Sequence, residues 1–130
     1  MSANTKPIFL LTPRQYMQTF VYADSTGKKT LGTAGENGSK IDGIKICSDD
    51  TATVTVSFFL SKGGTDYLLG VVSVSPGTGV TAGTSPAEAL EYLNDSYGLA
   101  LEAGVILKDS VGAAVTSGKT VTIVAHGGDF

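Results

Sequence analysis

Thr51-Ala-Thr-Val-Thr-Val-Ser-Phe-Phe-Leu60, then Ser61-Lys-Gly-Gly-Thr-Asp66, then Tyr67-Leu-Leu-Gly-Val-Val-Ser-Val74 is the stretch that decides the fold. From Ala52 to Leu60 the pattern has period two. Ala52, Val54, Val56, Phe58 and Leu60 share one side, and Thr51, Thr53, Thr55 and Ser57 share the other. Strand side chains alternate between faces, so this is a half-buried strand with a hydroxyl-rich outer side. Gly63-Gly64 supplies positive φ at little steric cost, and the polar residues around it reverse the chain into a second, more apolar strand. The stretch is a β-hairpin.

Working outward, the composition suits more of the same. The chain has 130 residues, 42% hydrophobic and 16% charged, with 17 glycines scattered among Ser and Thr. Gly above the usual share of about 7% suits short strands joined by tight turns. A net charge of −3 and a single arginine, Arg14, exclude the clustered basic surface that nucleic-acid binding needs. No run approaches the roughly 20 apolar residues of a membrane-spanning helix. Met1 to Lys6 lacks the charged and apolar regions of a signal peptide, so none is expected.

Residues 1–6 read as a flexible N-terminal arm, and 7–130 as a single domain. Pro7-Ile-Phe-Leu-Leu11 predicts a short strand stopped by Thr12-Pro13. Gln15 to Tyr22 predicts another, with Tyr16, Gln18, Phe20 and Tyr22 on one side. Asp24 to Lys29 is a turn, Thr33 to Ser39 a flexible loop, Ile41 to Cys47 a strand, and Ser48-Asp49-Asp50 the turn into the hairpin. After Val74 comes a glycine-rich loop. Ser85-Pro86-Ala87-Glu88 predicts one short helix, with Ser85 as cap, Pro86 at the first position and Glu88 closing a capping box; it ends near Asn94. Strands return at Tyr97–Leu101 and Val105–Asp109, weakly at Val111–Val115, and clearly at Thr120–His126. Eight or nine short strands and one helix predict an all-β fold: an antiparallel β-sandwich, jelly-roll-like.

Little in the sequence carries chemistry. His126 is the only histidine, so a triad with Asp129 and a serine lacks support from any Gly-x-Ser-x-Gly elbow. Asp49-Asp50 are neighbours in a turn and serve the turn. Gly77-Thr-Gly-Val-Thr-Ala-Gly83 misses the dinucleotide fingerprint in spacing and context and reads as a flexible loop. Cys47, the one cysteine, ends an apolar strand and reads as a small buried hydrophobe. Tyr16, Tyr22, Tyr67, Tyr92 and Tyr97 are the residues from which a sugar-stacking platform could be built, although strand aromatics mostly pack. No catalytic, cofactor-binding or metal-binding residue is expected, no cofactor, and no enzyme activity.

Five segments carry a resemblance: Pro7-Ile-Phe-Leu-Leu-Thr-Pro13, Thr33-Ala-Gly-Glu-Asn-Gly-Ser-Lys-Ile-Asp42, Phe58-Phe-Leu60 ahead of Gly63-Gly64, Leu101-Glu-Ala-Gly-Val-Ile-Leu107 and Val124-Ala-His-Gly-Gly-Asp-Phe130. Together they resemble a family of small virion structural proteins of tailed bacteriophages and prophages, of the head decoration or cement type. The resemblance covers nearly the whole chain and includes no catalytic motif. It implies a capsid-surface location in the virion after synthesis in the host cytoplasm, the major capsid protein lattice as partner, and a homo-oligomer, a trimer before other states. It implies no nucleic-acid or membrane partner. The alternatives are a tail, collar or fibre component, and a carbohydrate-binding β-sandwich module that would use Tyr67 or Tyr97. A Thr- and Ser-rich face offers hydrogen bonds to close neighbours without strong charge repulsion.

The assignment of faces is testable. Val56→Asp buries an unpaired charge and is expected to unfold the protein, lost by circular dichroism at 25 °C. Thr55→Lys is expected to leave it folded and to weaken assembly. An unfolded Thr55→Lys protein would reverse the two faces.

Overall fold

A computed structural model of the chain describes residues 9–130. The hairpin forms as its alternation predicts: β4 (Val54–Lys62) and β5 (Thr65–Val74) flank a two-residue turn at Gly63-Gly64. Both glycines have positive φ, 60° and 81°, the conformation a type I′ turn requires. Around the hairpin lie β1 (Thr12–Phe20), β2 (Lys29–Thr33), β3 (Ser39–Ser48), β6 (Ala87–Glu88), β7 (Leu99–Leu101), β8 (Ile106–Val111) and β9 (Val121–Asp129). One short helix, α1 (Ala89–Tyr92), separates β6 from β7.

All strand pairs are antiparallel. One sheet has the order β1-β9-β3-β6, with β7 also on β3, and the other β2-β8-β4-β5. The pairs β4/β5, β3/β6–β7, β2/β8 and β1/β9 nest about Gly63-Gly64. The chain is thus doubled on itself at that turn, and successive pairs alternate between the sheets. This is the jelly-roll arrangement of an antiparallel sandwich. The expected fold class is what forms.

The core is built from alternate residues of both sheets. Val56, Phe58, Val72 and Leu107 on one side meet Phe20, Ile41, Ile44, Ile46 and Ile123 on the other, all fully buried. Each such side chain contributes on the order of 1.5–3 kcal/mol by leaving water. Ile41 and Ile44 are three apart, which strict alternation would put on opposite faces. A bulge at Asp42, between the pairs Ile41↔Gly127 and Gly43↔His126, absorbs the extra residue and returns Ile41 to the core. Both open sides of the sandwich are covered. On one, the Tyr16 ring lies against Gly32 and its hydroxyl donates to the Thr33 carbonyl, while Gln18 donates to the Thr30 carbonyl. On the other, α1 buries Leu90, and Leu93 just after it rests on Gly70.

Several expectations are corrected. Residues 9–11 form no strand, and residues 7 and 8, like the arm at 1–6, lie outside the described residues. Pro13 sits inside β1 instead of stopping a strand; β1 is an edge strand, where a missing N–H is tolerated. The five-residue β2, with Gly32 as its fourth residue, has no alternation long enough to announce it. The helix begins at Ala89. Ala87-Glu88 pairs with Lys45-Ile46 instead, and Glu88 is the N-cap, accepting from the Leu90 amide at 3.2 Å and the Ile44 amide at 2.9 Å. Strand pairing overrides the local capping signal of Ser85-Pro86. Of Val111–Val115 only Val111 is in a strand, and β9 continues past His126 to Asp129. The 77–83 loop is a succession of hydrogen-bonded turns anchored to the end of β3 by the Ser48 amide on the Thr78 carbonyl, 2.9 Å.

Gly127 lies inside its sheet between Arg14 on β1 and Ile41 on β3. A Cβ there would overlap the Lys40 carbonyl oxygen. Gly127→Ala is therefore expected to cost about 1–3 kcal/mol in urea unfolding. Gly27→Ala, where the nearest atom to a new Cβ is 3.6 Å away, serves as the near-neutral control.

Candidate functional site

The outer face of the β2-β8-β4-β5 sheet is where the hydroxyl row of the hairpin ends up. Thr55 is exposed, and Ser57 is half-buried on the same side. Further along, Asp66 accepts from Lys28 at 3.0 Å and pairs with Lys108 at 3.3 Å, and Lys28 lies 4.2 Å over the Phe59 ring. The Lys28 hydrogen bond first, then Ser61 and Lys108, hold the Asp66 carboxyl down at about 2. The two lysines of this face thus share one carboxylate and are held in place by it.

At the edge of the same sheet, β5 exposes apolar side chains that the alternation does not announce. Leu69 and Gly70 both oppose Phe58, because the register shifts between Phe58 and Phe59. The bulge turns Leu68 outward beside Phe59, and Val71 follows on the same side; they are 62% and 53% exposed. The edge has no lysine or proline within β5 to guard its unpaired backbone groups. Tyr67 turns the other way, to the rim of a groove of about 310 Å³. Leu60, Ala100, Leu101 and Val105 make it apolar, and the Lys62–Glu102 pair at 2.5 Å crosses its mouth. Such a groove accepts an apolar side chain or short segment.

The other candidates are not brought together. His126 is exposed on the outside of β9, whereas Asp129, three residues on, is turned inward, so the two point to opposite faces. Asp129 is engaged by the Ser39 hydroxyl at 2.5 Å and the Arg14 guanidinium at 2.6 Å, and these lower its carboxyl, Ser39 foremost. Tyr16 packs on the core, while Tyr22, Tyr67, Tyr92 and Tyr97 are exposed on separate elements, and Tyr97 at 97% touches almost nothing. Cys47 is half-buried rather than buried, with its sulfur against Gly79. Among the described residues no three His, Cys, Asp or Glu side chains are grouped to hold a metal ion.

No family model matches the chain, and no curated protein does. Among solved structures, it is similar to a chain of the acidic stable capsid structure of Helicobacter pylori bacteriophage KHP30. The match has a TM-score of 0.60 and 10% identity, and covers 92% of this chain and 90% of that one. At that identity the likeness is one of fold.

Asp49 and Asp50 serve loops, as turn carboxylates do. Asp49 accepts from the Thr120 amide at 2.7 Å. Asp50 is buried and accepts from the Thr116 amide at 2.9 Å, the Thr116 hydroxyl at 2.7 Å and the Ala52 amide at 3.0 Å. The Thr116 amide foremost keeps its carboxyl below the ordinary range. A lowered folded value means that this stabilisation is present above the unfolded pKa of about 3.9 and is lost as pH falls through the folded one. Asp50→Asn is therefore expected to lower the urea midpoint at pH 7, with the gap to wild type narrowing at pH 3. A gap of equal size at both pH values would show that the charge is not what matters.

Proposed function

We propose that this chain is a structural protein of a tailed-bacteriophage virion that decorates or cements the capsid lattice and catalyses no reaction. The observation that carries the reading is the fold likeness, over nine-tenths of both chains, to a chain of a phage capsid structure. The surface supports it. A face with ion-paired charges, small hydroxyls and a few exposed apolar side chains suits close packing against many identical neighbours. The partner is the major capsid protein lattice, reached after synthesis in the host cytoplasm. The protein acts as a homo-oligomer, a trimer in the simplest case, with residues 1–6 as an arm toward the lattice. Within this reading, Leu68 and Val71 form the contact, flanked by Thr55 and Ser57.

The test is to add purified protein to heads that lack it. Saturable binding is expected, and its absence sinks the decoration role. Leu68→Asp with Val71→Asp is expected to weaken binding at least tenfold while the urea midpoint of the isolated protein stays in place. Label found on tails in electron micrographs of particles would move the protein to the tail, collar or fibre.

A further inference from the structure

Among the described residues, three buried side-chain atoms lack a hydrogen-bond partner: Gln18 Oε1, Asp109 Oδ1 and Asp109 Oδ2. They belong to one place. Asp109 is fully buried on β8, on the inward side with Leu107 and Val111, and its strand neighbours are Lys29 on β2 and Phe58 on β4. Gln18, on β1 of the opposite sheet, is its side-chain neighbour. Buried polar atoms are rarely left unpaired, and a buried unpaired carboxylate is costlier still.

All three orphan atoms are acceptors, so the missing piece is a donor. The Gln18 amide supplies only part of it. One N–H of its Nε2 donates to the Thr30 carbonyl at 3.0 Å and the other is free to turn toward Asp109, but neither serves Gln18 Oε1, and a flipped amide would set oxygen against oxygen at Thr30. Lys29, opposite Asp109 in register, is also committed. Its ammonium pairs with Asp24 at 2.9 Å, donates to the Thr19 carbonyl at 2.6 Å and lies 4.8 Å over the Phe20 ring. On β1 the other titratable groups of the same parity are engaged elsewhere: the Tyr16 phenol donates to the Thr33 carbonyl and Arg14 pairs with Asp129 at 2.6 Å. β4 presents only Phe58. A proton on Asp109 completes the site: the neutral acid donates to Gln18 Oε1 and satisfies an atom on each side.

We propose that Asp109 and Gln18 form a proton-operated latch between the two sheets, closed while Asp109 is a neutral acid and released when it ionises. Closed, it holds edge strand β1 over β8. Released, the carboxylate competes with Asp24 for Lys29 and leaves Gln18 Oε1 unpaired. Burial pushes the Asp109 carboxyl up to about 7, against weaker opposing pulls from the Lys29 charge, a Gln18 N–H and its own backbone amide, so the change falls near neutral pH. The folded value is raised above the unfolded one, so the stabilisation is fully present below about pH 4 and is lost as pH rises to about 7. Across that window the folding constant falls up to about tenfold per pH unit.

Urea unfolding of wild type, Asp109→Asn and Gln18→Leu between pH 5 and 8 tests this. The asparagine keeps a donor for Gln18 Oε1 at every pH. Wild type is expected to lose at least tenfold in folding constant relative to Asp109→Asn between pH 5 and 7. Gln18→Leu is expected to be less stable than wild type at pH 5 and to approach it at pH 8. A wild type that runs parallel to Asp109→Asn throughout overturns the latch. Infrared spectroscopy of the wild-type protein gives a second reading that no variant's folding can obscure. A protonated-carboxyl C=O band is expected at pH 5.5 and absent at pH 9; no band at pH 5.5 equally overturns the proposal.

Discussion

The antiparallel pairing of β4 with β5 about Gly63-Gly64 is the contact on which the remaining structure depends. It closes the shortest loop in the fold, at two residues whose positive φ glycine adopts without a steric penalty. Every other pair spans a longer stretch of chain: β3 with β6, β7 and β9, β8 with β4 and β2, β1 with β9. Each must bring more distant segments together, at a greater loop-closure cost. Val54, Val56, Phe58, Val72 and Val74 supply that first apolar face.

Closing the two sides of the sandwich uses different chemistry. The α1 side is apolar, with Leu90 and Leu93 filling the space beside Gly70. The β1–β2 side is polar: Tyr16 and Gln18 reach across to backbone carbonyls, and Asp109 lies beneath them. Polar side chains at that seam need donors and acceptors to match, so one proton has leverage there that it has nowhere on the α1 side. The outer surface follows a third logic. Lys28 and Lys108 share Asp66, and beside this ion-paired cluster the β5 edge presents exposed apolar side chains.

Much of the fold was legible in the sequence. The hairpin, the strand at Ile41–Cys47 and the strand from Thr120 carry long, clean alternation, and a half-buried strand needs little else. The hydroxyl face of the candidate surface, Thr55 and Ser57, was read from the same pattern. Leu68 and Val71 were not, because a bulge at Leu69 reverses the side on which Leu68 stands, and a bulge is set by pairing with a partner strand. The helix starts three residues later than its local signal for a similar reason. Ser85-Pro86-Ala87-Glu88 is a sound local start signal, but Ala87-Glu88 gains more by pairing with Lys45-Ile46. Asp109 stood in plain view in a strand, and only the opposite sheet makes it a buried acid.

By itself, the sequence determined which residues alternate, where glycine permits the chain to reverse, and that the product is an all-β sandwich. These are properties of neighbours along the chain, set by side-chain period and backbone sterics. Tertiary structure alone decided which strands pair and in what register, the bulges at Asp42 and Leu69, the shortened helix, and the meeting of Gln18 with Asp109. Each depends on which distant strand lies alongside, and the hydrogen bonds and burial that settle it exist only once that partner is in place.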